Sequence, residues 1–206
     1  MNTLEVKVKH SIKTFDDFYK VAKKQFYDYE KIEGINNWKE YDFSIDCSED
    51  QMKFKDMLQV RFIEELTEAS AALLNNEPDH FWEEITDSLN FFISSYVMLD
   101  IDRNSLPNPE KYLSKKDKRF IPSFEEYSIK SYKLVHDVGN LCNLLKNRPW
   151  AQSNYLVSLI DFNERFEELW IDFWKYLGWL GIDKEVLFDL FERKVLVNAW
   201  RIKTGY

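Results

Sequence analysis

Apolar residues recur at helical spacing through nearly every segment of this 206-residue chain, and only five glycines and five prolines interrupt them. No other feature narrows the fold as much. A half-buried strand needs strict apolar alternation, whereas these residues return every three or four positions. The chain is therefore read as all-α, with helices over 14–32, 51–75, 79–99, 124–147, 152–178 and 184–203 and no strand. Start signals agree with those bounds. Thr14 precedes Asp16 and Asp17, Ser123 precedes Glu125 and Glu126, and Asp183 precedes Glu185, so each cap oxygen is followed by acids in the first turn. Asn75-Asn76-Glu77-Pro78 marks a break, and 101–123, with three of the prolines, reads as a surface connection. One domain over 1–206 is expected, with a helical insertion near 101–179.

Composition closes off several function classes. A 45% hydrophobic and 17% aromatic chain of this length can fill a large core, so disorder is not expected. The formal charge of -8 removes the attraction on which nonspecific polynucleotide or anionic-membrane binding relies. Cys47 and Cys142 stand far apart without a CxxC or Cys/His cluster, which argues against zinc and against a disulfide framework. No signal-like segment and no apolar run near the roughly 18 residues of a membrane span is present. A cytoplasmic protein without a membrane or nucleic-acid partner is expected.

The two most apolar segments each carry a short acidic phrase, Glu65-Leu-Thr-Glu68 and Glu84-Ile-Thr-Asp87. At about 100° per residue, with Glu65 at zero, Leu58, Phe62, Leu66, Ala69 and Leu73 fall between about 20° and 100°, and Glu68 at about 300°. Glu65 thus borders the apolar stripe. On the next helix Phe81, Ile85, Leu89, Phe92, Ile93 and Tyr96 form one apolar side; Glu84 and Asp87 lie opposite, but share their side with Phe91 and Met98. A helix apolar nearly all round is central and buried, where a carboxylate costs several kcal/mol unless paired, protonated or bound to metal. An isolated ExxE is commonly a solvated face; two on adjacent helices point to a divalent cation. Mg²⁺ accepts one or two carboxylates per ion and keeps sites for water and phosphate oxygens, and Mn²⁺ is a possible substitute. A di-iron bundle wants Glu-x-x-His pairs, and the one match, Glu77-Pro-Asp-His80, is set aside because Pro78 sits at the helix break.

Near the C-terminus, Lys194, Asn198 and Arg201 follow i, i+4, i+7 spacing, which aligns a cation, an amide and a guanidinium along one helix face. Basic residues also favour the last turn of any helix. Beside metal carboxylates, however, such a stripe suits a triphosphate, with Lys as point charge, Arg as bidentate clamp and Asn on a sugar hydroxyl or water.

On these motifs the chain resembles the all-α nucleoside triphosphate pyrophosphohydrolases, the group of MazG-like enzymes, dimeric dUTPases and phage dCTPase/dUTPases. The group is marked by ExxE, a gap of a dozen or more residues, and ExxD. The ending K-x3-N-x2-R-x3-G-Y, shared by dimeric dUTPases and the phage enzymes, is matched by Lys194, Asn198, Arg201, Gly205 and Tyr206. The resemblance covers about 51–100 and 180–206. It implies a helical bundle of that type and a homodimer. It further implies that Glu65, Glu68, Glu84 and Asp87 bind Mg²⁺, with Glu65 or Glu68 also orienting the attacking water, and that Lys194 and Arg201 bind phosphates. The implied reaction is hydrolysis between the α and β phosphates. No GxxxxGK[ST] loop offers another phosphate cradle.

For the base, Gln59 and Asn90 are candidate amides, and Trp38, Phe62, Trp82 and Trp150 candidate stacking partners. Lys146, Arg148 and Trp150, beside Pro149, form either a ligand-facing corner or an ordinary basic helix end. Trp200 and Ile202 depart from the phenylalanine and glutamine common in dUTPases. The expected substrate is a pyrimidine deoxynucleoside triphosphate, dUTP first, with dCTP or a broader set as rivals. The runner-up is a helical interaction or regulatory protein of the same fold without catalysis, which the intact acidic pattern argues against.

Overall fold

A computed structural model of the chain describes residues 3–34, 41–43, 49–145 and 159–205. Among them are α1 (Phe15–Ile32), α2 (Glu49–Lys55), α3 (Ile63–Leu74), α4 (Pro78–Leu99), α5 (Phe124–Leu144), α6 (Leu159–Trp179) and α7 (Lys184–Thr204). Strands are absent among the described residues, and no described helix is long and apolar enough to cross a membrane. The ends expected at 146–147 and 152–158 lie outside the described residues.

Local chemistry explains the helix ends. Thr14 accepts from the Asp17 backbone N at 3.1 Å while the Asp17 carboxylate accepts from Thr14 N, a reciprocal cap that Ser123 and Glu126 repeat on α5. Asp183 Oδ1 accepts from Val186 N at 2.9 Å and starts α7. Between α3 and α4, Asn76 takes a left-handed φ of 59° and Pro78 occupies the first turn of α4, where its missing N–H costs nothing.

The stretch expected as one helix over 51–75 is continuous but not uniform. Asp56–Phe62, between α2 and α3, is a π-helical segment. Its i→i+5 bonding spreads each turn over more residues than an α-helix does, so side chains beyond it are rotated relative to those before it.

Helix α4 is the central element, touching α1, α3, α7 and the π segment. Phe92 meets Phe173 of α6 with ring centroids 4.1 Å apart, and Phe62 lies 5.8 Å from Phe92 and 5.6 Å from Phe173. Trp170 and Trp174 extend this aromatic core, each large ring contributing about 1.5–3 kcal/mol by leaving water. The hydroxyls of Thr86, Ser88 and Ser95 bond back to carbonyls of their own helix, which lets a polar-dotted α4 remain buried.

The 101–123 connection is pinned to the α6–α7 junction. Ser114 N donates to Ile182 O and Lys118 N to Gly181 O, both at 2.9 Å. Gly178 permits that approach, since a Cβ there would fall 2.0 Å from the Tyr112 carbonyl oxygen.

Candidate metal and phosphate site

The antiparallel pair α3 and α4 sets the first acidic phrase against the second. Glu65 comes from the first turn of α3, while Glu84 and Asp87 come from the second and third turns of α4. One carboxylate oxygen of each lies within 4.8 Å of one oxygen of both others. Glu84 is 6% exposed, so the cluster has a buried base.

Its electrostatics are those of carboxylates crowded out of water. Burial, a hydrogen bond with Glu84, and the charges of Asp87, Glu84 and Glu68 push the Glu65 carboxyl up to about 9. Burial pushes Asp87 up to about 6, although Lys194 draws it the other way. Burial and crowding by like charge thus favour the protonated form of Glu65, hydrogen-bonded to Glu84. A divalent cation could take the proton's place and neutralise two charges at once, and three converging oxygens suit a hard ion that keeps further positions for other oxygens. These donors fit Mg²⁺ or Mn²⁺ and are unlike the thiolate and imidazole sets of structural zinc sites.

Of the four carboxylates read as ligands, Glu68 is the one left outside the triad. It is exposed, three residues beyond Glu65 on α3 at the rim of the cluster, and burial together with the charges of Glu84 and Glu64 raises its pKa. Near it, His80 on the first turn of α4 faces Glu84, with Nε2 2.6 Å from Oε1, and Glu77, with Nδ1 3.2 Å from Oε2. The bond to Glu77 is the first cause of a raised His80 pKa.

A cleft of about 840 Å³ opens over Glu65 and Asp87. On the α7 wall, Lys194, Asn198 and Arg201 all line it, so the expected stripe faces the carboxylates. Lys194 is 4% exposed and Asn198 2%, and the Lys194 ammonium pairs with Asp87. Tyr29 of α1 also lines the cleft; its phenol is raised by burial and lowered by Arg201. Tyr206 lies outside the described residues.

Asn90 lines the cleft, and Gln25 of α1 donates from Nε2 to Asn90 Oδ1, which leaves the Asn90 amide hydrogens for a ligand. Gln59 does not line it. It is exposed on the π segment, whose wider turns direct the row Lys53, Met57, Arg61 and Glu65 into the cleft. In a regular helix residues four apart drift by about 40° per step, or about 120° along that row. The π segment absorbs the drift. Arg61 and Met57 are thus cleft residues that helical periodicity alone did not single out. The four-residue repeat ending at Glu65 was the available signal.

The expected stacking residues fare differently. Phe62 is fully buried against Phe92 and Phe173 and belongs to the core. Trp82 sits outside the cleft beneath the Arg119 guanidinium, whereas Phe91 and Phe26 line it. Trp38, Lys146, Arg148, Pro149, Trp150 and Cys47 lie outside the described residues. Comparison with protein-family models, with curated proteins and with solved structures finds no match to this chain.

Proposed function

We propose that the protein is an Mg²⁺-dependent nucleoside triphosphate pyrophosphohydrolase that converts a pyrimidine deoxynucleoside triphosphate, dUTP first among them, to the monophosphate and pyrophosphate. The observation that carries this reading is one cleft lined by Glu65 and Asp87, which share a carboxylate cluster with the buried Glu84, and by Lys194, Asn198 and Arg201. When bound, the cation supplies positive charge beside the scissile phosphoryl group and acidifies an attacking water.

The chain's own groups have distinct tasks. Glu84 and Asp87 hold the cation from the buried side, and Glu65 both contributes to it and receives the proton of the attacking water. Lys194 and Arg201 hold the β and γ phosphates as the bond from the α phosphorus to the bridging oxygen breaks, and the pyrophosphate leaves with that electron pair. Asn198 and the Gln25–Asn90 amide pair orient the nucleoside. Phe91 and Met57 offer apolar contact to its rings. By the same resemblance the active form is a homodimer.

The test is hydrolysis of a panel of nucleoside triphosphates in ¹⁸O-labelled water with and without Mg²⁺. The expected result is Mg²⁺-dependent release of pyrophosphate, with label in the nucleoside monophosphate and no diphosphate. Label in orthophosphate with accumulating diphosphate overturns the reaction. No turnover of any triphosphate overturns the enzyme.

A further inference from the structure

The Glu77-Pro-Asp-His80 phrase, set aside as a metal motif, is brought to the cation site by the fold. Glu77 holds the N-cap position of α4 without a side-chain cap bond, Pro78 opens the helix, and His80 stands one turn before Glu84. Its imidazole bridges two carboxylates, Nδ1 3.2 Å from Glu77 Oε2 and Nε2 2.6 Å from Glu84 Oε1. Glu77 and His80 are exposed, while Glu84 is buried, so the chain of contacts runs from the surface into the triad.

As i, i+3 and i, i+4 neighbours these pairs add only weakly to the helix itself. The first turn of an α-helix presents unpaired N–H groups that need acceptors, and a second donor there satisfies none of them. The bond is useful to Glu84. A glutamate carboxylate turns freely about its last torsion, and Mg²⁺ tolerates little departure from octahedral geometry. With Oε1 held by a ring that Glu77 anchors, the carboxylate plane is set before a cation arrives.

Resting on the cation site proposed above, we propose that His80 is a positioning residue: tethered by Glu77, it donates from Nε2 to Glu84 Oε1 and orients that carboxylate toward the oxygens of Glu65 and Asp87. It contacts neither substrate nor the reacting atoms. Partners of ligating groups typically govern affinity by tenfold to a hundredfold, and that is the size of effect expected.

The experiment uses the full chain and Mn²⁺ alone, without nucleotide, titrated by calorimetry and by electron paramagnetic resonance. His80→Ala is expected to weaken Mn²⁺ binding by about tenfold or more. His80→Gln, whose side-chain amide can still donate across one helical turn, is expected to recover binding to within about threefold of the wild-type chain. In the Glu84→Gln background, His80→Ala is expected to add no further loss. Undiminished binding by His80→Ala, or failure of His80→Gln to recover it while the variant retains its fold by circular dichroism, overturns the role. A ¹⁴N coupling from directly coordinated imidazole in the wild-type spectrum overturns it too, since His80 is then a ligand. If the wild-type chain binds no Mn²⁺, the cation site itself falls.

Discussion

The ammonium of Lys194 on α7 pairs with the carboxylate of Asp87 on α4, and both groups are largely withdrawn from water. Lys194 thus supplies one of the positive charges that the acidic triad requires. It is also the residue that the proposed reaction assigns to phosphate. A cation at Asp87 would release the ammonium toward a triphosphate in the same cleft, coupling cation binding to phosphate binding.

Lys194→Met should test that coupling. Breaking a buried pair by removing one partner costs about 3–5 kcal/mol, part of which Asp87 can recover by taking a proton. The metal-free variant should melt lower than the wild-type chain at neutral pH, and Mg²⁺ should raise its Tm by more than it raises the wild type's. Equal Mg²⁺ shifts in the two proteins, followed by scanning calorimetry, would contradict the linkage.

Stability should fall as pH rises, because burial outweighs even the Lys194 pair at Asp87. Glu65 is raised from 4.5 to about 9 and Asp87 from 3.8 to about 6. A carboxyl raised on folding stabilises the protein fully below its unfolded pKa, and that stabilisation is lost as pH rises through the folded value. The metal-free protein should therefore lose stability between about pH 4 and 9, with Glu65 responsible for the part above about pH 6. Glu65→Gln should flatten that upper limb and also remove the Mg²⁺-dependent rise in Tm. Urea unfolding at pH 6 and pH 8, with and without Mg²⁺, separates these effects.

Asn90, held by Gln25 at the cleft wall, should matter to the nucleoside and not to the phosphates. Asn90→Ala removes a ligand-facing amide worth about 1 kcal/mol as a neutral hydrogen bond, so KM for the preferred triphosphate should rise about fivefold. Binding of inorganic tripolyphosphate with Mg²⁺ should stay unchanged. A parallel loss for tripolyphosphate would move Asn90 into the phosphate site.

Gly178→Ala sets helix propensity against packing. Alanine gains up to about 1 kcal/mol over glycine within a helix. Its Cβ would stand 2.0 Å from the Tyr112 carbonyl oxygen, and overpacking of this kind costs about 1–3 kcal/mol because backbone must move. With the full propensity gain the variant should be less stable to urea by up to about 2 kcal/mol, the difference between those two terms. A more stable variant would show that the 101–123 connection yields freely.

The sequence by itself determined the features that arise within a few residues of chain. Thr14, Ser123 and Asp183 start helices because each side chain reaches an N–H only three positions on, and Pro78 separates α3 from α4 by geometry it carries alone. Periodicity likewise set Glu65 at the edge of its apolar stripe and aligned Lys194, Asn198 and Arg201. What the tertiary structure decided was which of these faces meet. Glu65 joins Glu84 and Asp87 while Glu68, on the same helix, stays exposed beside them; Gln59 leaves the cleft and Arg61 enters it through a π segment packed against α4. The Lys194–Asp87 pair and the Gln25–Asn90 bond join residues 107 and 65 positions apart. Such pairings depend on how aromatic surfaces such as Phe62, Phe92 and Phe173 fit together, a packing outcome that no local spacing encodes.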